Sequence, residues 1–313
     1  MPYDNYQPNP PTPSVELKKS EHPDLRSFPS LKDPRFLSDA RWGKVEFVVK
    51  LKRPLHVGSE ELKVQGRQVV KVMCRGAGGA PCVPGTSWKG VFRSLSEVLS
   101  PSYLLDDVAS NRRIRIPEEQ GCWAMRIFGA LRRSSAFKGR ISFCDSVFSV
   151  ENSKVHNLMN SYQPHQQKDG LKYYKQPSDE EFARSDTDKK IPVECVDVGK
   201  PCVMTLRIDG LYDSEVGLLL LASGALPKNC FDLQVGYGRS QGMGKISLSL
   251  NSLLLRRGRA PLGEITKWSR KDSGDDFSKV EFFYDKYKDS ILSYRSDEWK
   301  RIEGNIEKLK SLK

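Results

Sequence analysis

Three short stretches carry residue types that could do chemistry. His56 stands in Leu55-His56-Val57-Gly58 at the end of an apolar run, and Glu60 and Glu61 follow it. An imidazole beside a carboxylate is what general acid–base work or metal-assisted cleavage needs. A histidine at a strand end is more often a hydrogen-bonding structural residue. The second stretch is Pro84-Gly85-Thr86-Ser87-Trp88-Lys89, with Arg93 one helical turn beyond Lys89. Two hydroxyls, two cations and the free N–H groups of a helix start make a phosphate seat. Without a ligand the same residues are an ordinary helix start, capped by Thr86 or Ser87, with a solvated basic face. The third stretch is Gly236-Tyr237-Gly238-Arg239-Ser240-Gln241-Gly242-Met243-Gly244-Lys245. Its glycines permit positive φ and close backbone approach, and successive N–H groups can form an anion-binding concavity beside Arg239, Ser240 and Lys245. A tight turn with no ligand explains the glycines as well. A strand rather than a helix leaves the loop, so the Rossmann and P-loop readings lose the helix dipole they depend on.

The elements that must position these residues follow from periodicity. Lys44–Leu51 is β-branched and aromatic, and reads as a strand; Val69–Met73 reads as a second. Trp88, Phe92, Leu95 and Leu99 recur at helical spacing and predict a helix ending at Ser100-Pro101. Gly139–Asp145 and Cys202–Ile208 read as strands, and Ser214–Leu226 as an apolar helix capped by Asp213 or Ser214. Asp232–Val235 enters the glycine loop as a strand, and Lys245–Leu250 leaves it as one. Strand–helix–strand thus occurs twice, which predicts an α+β fold of ferredoxin-like or RNA-recognition-like type with large insertions. Residues 1–43 form a Pro-rich arm, either a tail or a strap across a neighbouring subunit. Residues 44–264 form the main domain. A polar stretch at about 151–190 reads as an insertion or mobile loop, and 265–313 as a helical extension.

Composition narrows the partners. The chain has 313 residues, 38% of them hydrophobic, and a formal charge of +12 with a pI near 9.3. Such an excess suits a polyanion, because each cation that meets a phosphate releases a counterion. Seven scattered cysteines without a CxxC pair argue against a zinc ribbon, and no metal site or cofactor is expected. No long apolar run and no basic-then-apolar start is present, so no membrane association and a cytoplasmic location are expected.

Leu55-His56-Val57-Gly58, Pro84–Arg93, Phe128-Gly129, Gly139-Arg140 with Asp145, and Gly236–Gly244 occur in that order. Together they resemble the RAMP superfamily of CRISPR-associated proteins, most nearly the backbone and capping subunits of type III effector complexes, over roughly residues 44–250. The resemblance implies a subunit stacked along a guide RNA, with target RNA and other effector subunits as further partners. It implies that His56, Gly85, Thr86, Ser87, Lys89, Arg93 and the loop residues Gly236, Gly238, Arg239, Ser240, Gly242, Gly244 and Lys245 face RNA. It makes the 151–190 insertion a thumb that displaces nucleotides. For Asp145 a cap or a structural hydrogen bond is expected ahead of a functional role.

Backbone subunits that cut target RNA resemble one another in a catalytic aspartate between the first strand and the Pro-Gly helix start. Leu55–Pro84 contains no aspartate and offers Glu60 and Glu61 in its place. A non-slicing, guide-RNA-binding structural subunit is therefore expected. The alternatives are a RAMP-fold endoribonuclease, cutting target RNA through a loop carboxylate or processing guides with His56 as general acid or base, and a basic adaptor that touches only protein.

Overall fold

A computed structural model of the chain describes residues 14–29, 33–104, 116, 120–131, 136–159, 170–175, 190–258, 263–274 and 276–312. Along the chain the strands used below are β1 (Ser14–Lys18), β2 (Arg41–Leu51), β3 (Gly58–Gln65), β4 (Gln68–Met73), β5 (Ile141–Phe143), β6 (Ser153–Met159), β7 (Gly170–Tyr174), β8 (Lys190–Val196), β9 (Cys202–Leu211), β10 (Leu233–Gln234), β11 (Lys245–Arg257) and β12 (Ile265–Ser269). The helices used below are α1 (Gly85–Val98), α2 (Trp123–Phe128), α3 (Asp213–Ala222), α4 (Ser278–Tyr294) and α5 (Ser296–Lys310).

The central antiparallel sheet runs β5-β9-β2-β11-β10, with β12 on the far end of β11. Chain order through it is β2-α1-β5-β9-α3-β11, with the first and third strands in the middle, which is the ferredoxin-like βαββαβ arrangement. Alternation builds it: Val45, Phe47, Val49 and Leu51 of β2 are buried, while Lys44 and Lys50 face out. In β11 Ile246, Leu248 and Leu250 face inward. A bulge before Ser252 then resets the phase so that Leu253 and Leu255 do the same.

Trp88, Phe92 and Leu95 of α1 and Val216 and Leu218–Leu221 of α3 fill the covered side. Helix α3 is apolar all round because α4 covers its other side: a Cβ on Gly217 would lie 2.0 Å from the Phe283 carbonyl oxygen. The C-terminal helices also secure the end of α1. Arg301 donates to the carbonyls of Val98 (2.7 Å), Ser100 (2.8 Å) and Lys18 (2.8 Å), and Asn305 donates to Val98 and Lys18, both at 2.9 Å. These side chains satisfy carbonyls that a helix end leaves without partners.

Several sequence expectations change in detail. Helix α3 stops at Ala222, short of Leu226, and neither Asp213 nor Ser214 caps it. Tyr212 is the cap residue, its N–H donating to Glu215 at 3.0 Å, while Asp213 is drawn to Arg41 at 2.6 Å. The strand expected over Asp232–Val235 contracts to β10. Within the polar 151–190 stretch, β6 and the start of β8 join β4 and β3 in a second sheet ordered β6-β8-β4-β3, and β7 pairs with β1. Residues 160–169 and 176–189 of that stretch, and 1–13 of the arm, lie outside the described residues. Residues 14–27 of the arm rest on this chain's own body, through β1 and through Ser20 donating to Glu298 at 2.8 Å. Among the described residues no helix is long and apolar enough to cross a membrane.

Candidate nucleic-acid interface

The glycine loop closes over the turn that carries His56. Tyr237 N–H donates to the His56 carbonyl (2.9 Å), and Gly244 N–H donates to that of Pro54 (2.7 Å). Gly236 and Gly244 sit at φ +81° and +69°, and a Cβ there would fall 2.2 Å from the His56 oxygen and 1.9 Å from the Val235 oxygen. No other residue closes this loop. The N–H groups of Gln241 and Met243 donate to Gly238, and that of Gly242 to Arg239. Five loop amides thus serve the loop and the Pro54–His56 turn rather than an anion. The groups it offers outward are side chains: half-buried Tyr237 and exposed Arg239.

His56 is 2% exposed. Its Nδ1 lies 2.6 Å from the Glu194 carbonyl, so Nδ1 carries the proton and Nε2 keeps its lone pair. Burial pushes the imidazole pKa down and nearby Lys71 adds to that, against the opposing pull of the Glu194 hydrogen bond. Glu194 is itself fixed, its carboxylate taking Met73 N–H at 3.0 Å and pairing with Arg75. The imidazole borders a cavity of about 360 Å³ shared with Glu60, Glu61, Lys71 and Tyr237. Lys71 Nζ stands 5.1 Å from the Tyr237 ring centroid, and the His56 and Tyr237 rings meet edge to face. Glu60 has φ +67°, in a bulge between Gly58 and Leu62 that sets the two glutamates on the cavity rim.

The structure thus unites His56, Glu60, Glu61 and the glycine loop, and adds Lys71 and Tyr237, which the sequence reading did not single out. Tyr237 is the one aromatic inside the loop, and that was the available signal. Among the described residues, no three His, Cys, Asp or Glu side chains gather as metal ligands would.

The α1 start is a separate locus: Gly85 packs on β5, and Lys89 and Arg93 reach Gly139 and Gly129. Neither Thr86 nor Ser87 caps it; Asp145 does, its carboxylate accepting Gly85 N–H at 2.8 Å. The anion expected at this helix start is thus supplied from within the chain. A Cβ on Gly85 would lie 2.1 Å from the Phe143 oxygen, so the helix meets β5 in backbone contact. Arg93 pairs with Glu97 (2.9 Å) and donates to the Gly129 carbonyl (3.0 Å). Lys245 donates to the Leu312 carbonyl (3.1 Å) and lies 3.4 Å from Asp232. Lys89 and Arg239 have no carboxylate within ion-pair reach among the described residues. Burial, and then Arg93, pull the Lys89 pKa below its usual value.

Arg140 of the Gly-Arg motif faces inward. It donates to the carbonyls of Arg126 (2.8 Å) and Gly210 (2.6 Å), and its Nη2 lies 2.5 Å from Glu215. Arg126 reaches the same carboxylate at 3.2 Å.

The sheet order and the glycine loop folded against the exit of its first strand place the chain in the ferredoxin-like α+β class. Residues 48–247 match the family model of the RAMP superfamily, a span of more than half the chain. The chain belongs to the RAMP superfamily, whose members bind CRISPR RNA and work in effector complexes, so its own role is CRISPR-related RNA binding. No curated protein matches the chain.

Proposed function

We propose that the chain is a guide-RNA-binding structural subunit of a type III CRISPR effector that serves antiviral defence, and that it holds RNA without cutting it. The observation that carries this reading is the cavity where His56, Lys71 and Tyr237 meet under the glycine loop. An aromatic face, a cation and a neutral imidazole acceptor suit a nucleotide: the ring stacks a base, Lys71 meets a phosphate, and Nε2 accepts from a hydroxyl or amino group. The lack of an aspartate between Leu55 and Pro84 supports a holding role over a cutting one.

The test is binding of single-stranded RNA by the purified chain across a salt series. Replacing Tyr237 with Ala should weaken binding by about 1–3 kcal/mol, the range for one base on one aromatic ring. Affinity purification from the source organism should also recover short repeat-derived RNAs with other effector subunits. An unchanged affinity for the Tyr237 variant, with no RNA recovered, would refute the proposal and favour a protein-only adaptor. A second reading has its own observation: the His56 imidazole borders the cavity with Nδ1 bonded to the Glu194 carbonyl, which leaves Nε2 with the lone pair a general base requires. A single metal-independent cut in repeat RNA, abolished by His56→Ala, would establish it. Target cleavage lost on Glu60→Ala or Glu61→Ala would establish the carboxylate version.

A further inference from the structure

The open face of the central sheet carries a row of exposed residues in register across four strands: Ser142 of β5 opposite Arg207 of β9, Arg207 opposite Lys44 of β2, and Lys44 opposite Leu254 of β11. Directly opposed residues point to the same side, so two cations stand side by side, an arrangement that is unfavourable when nothing anionic joins them. Lys44 is partly balanced by Glu46 at 2.6 Å; Arg207 has no carboxylate within ion-pair reach among the described residues. The same holds for Lys138, which enters the site from the end of the short strand Ala136–Lys138, ahead of β5. A groove of about 520 Å³ is lined by Lys44, Lys138, Gly139, Ser142, Arg207 and Asp209, so three cations face one lining carboxylate. From the helix side the Lys89 ammonium reaches the segment between that strand and β5, 3.2 Å from where a Cβ on Gly139 would sit.

The groove is held in shape by buried groups. Arg140 points into the core and is gripped by two carbonyls and Glu215. A Cβ on Gly139 would lie 2.5 Å from the Phe128 oxygen, so this segment is closed on its inner side. The buried arginine thus anchors the backbone from which Lys138 extends into solvent.

We infer that this groove is a second seat for the backbone phosphates of single-stranded RNA, apart from the His56–Tyr237 cavity and the glycine loop. This inference rests on the RNA-binding reading above and extends it to an unassigned surface. Neighbouring strands lie about 4.8 Å apart, so the Ser142–Arg207–Lys44 row spans roughly 10 Å, long enough for more than one phosphate. Cations with a hydroxyl on an open sheet face contact phosphate without reading sequence.

The experiment compares the full chain with a Lys138→Gln/Arg207→Gln double variant, binding a single-stranded RNA oligonucleotide from low to moderate salt. Both side chains are exposed, so folding is unaffected. Loss of two phosphate contacts should flatten the slope of log affinity against log salt by roughly 1.4. Asp209→Asn should strengthen binding by about twofold to fivefold, a gain that no folding defect can produce. Bound RNA should also slow acetylation of Lys44 and Lys138 by an amine-reactive ester. RNA that binds with an unchanged slope and leaves Lys138 reacting at its free rate overturns the groove. Should Tyr237→Ala still weaken binding in that case, the cavity stands alone as the RNA site. If the chain binds no RNA while inorganic tripolyphosphate protects Lys138, the groove takes small anions, and RNA is rejected as its occupant together with the function proposed above.

Discussion

Replacing Glu215 with Ala tests how the Gly139–Arg140 segment is held. Glu215 Oε1 lies 2.5 Å from Arg140 and 3.2 Å from Arg126, and Oε2 accepts the Tyr212 N–H at 3.0 Å. The Glu215 side chain is 1% exposed and that of Arg126 5%. Truncation leaves two guanidinium groups facing each other in a dry interior. Removing one member of a buried ion pair costs about 3–5 kcal/mol, and because Arg140 keeps its two carbonyls we expect about 3. Glu215→Gln keeps an acceptor for Tyr212 and loses the charge-assisted part, about 1.5–3 kcal/mol. Urea unfolding followed by circular dichroism at neutral pH gives both numbers from the shift in midpoint at unchanged slope. An alanine variant within about 0.5 kcal/mol of the parent would refute the idea that this cluster anchors the segment. The pH dependence has a defined sign. Burial pushes the Glu215 carboxyl pKa up, but Arg140 and Arg126 outweigh it and hold it below the ordinary value of 4.5. The unfolded chain therefore takes up this proton first. The contribution is present above pH 4.5 and is lost as pH falls through the lowered folded value. The parent should lose stability there, and the gap to the Gln variant should narrow.

Three further outcomes follow from the same geometry. His56 has a pKa held below 6.5, so its contribution is complete above that pH and is lost as pH falls toward the folded value; unfolding between pH 5 and pH 7.5 should show this slope, and His56→Gln should flatten it. Arg301→Ala removes three carbonyl contacts and the pair with Glu298, and should cost about 2–3 kcal/mol and speed amide exchange at the end of α1, leaving the central sheet protected. Gly217→Ala places a methyl 2.0 Å from the Phe283 oxygen and should destabilise by at least 1–3 kcal/mol, with α4 separating from α3; a variant as stable as the parent would contradict the close crossing.

Much of the fold was legible because it rests on local periodicity. Alternation in Lys44–Leu51 and helical spacing from Trp88 to Leu95 each name one buried face, and two strand–helix–strand units in sequence leave few ways to build a sheet. The bulge before Ser252, the early end of α3 and the small second sheet were not legible, since pairing across the fold decides them. The glycine loop was visible as four glycines. That its amides turn inward to Pro54 and His56 depends on a partner nearly two hundred residues away in the chain.

Sequence by itself determined the βαββαβ order, the basic excess, the run of motifs that marks the RAMP superfamily, and a small set of cations. Tertiary structure decided which cations are available. Lys245 meets Asp232, Arg93 meets Glu97, Arg140 meets Glu215, and Asp145 takes the helix start that looked ready for a phosphate. Lys71, Lys138 and Arg207 emerged instead, on strands, at positions for which the motifs implied no role. The physical reason is that charge belongs to a residue type, whereas availability depends on which carboxylate or carbonyl the fold brings within about 3 Å of it.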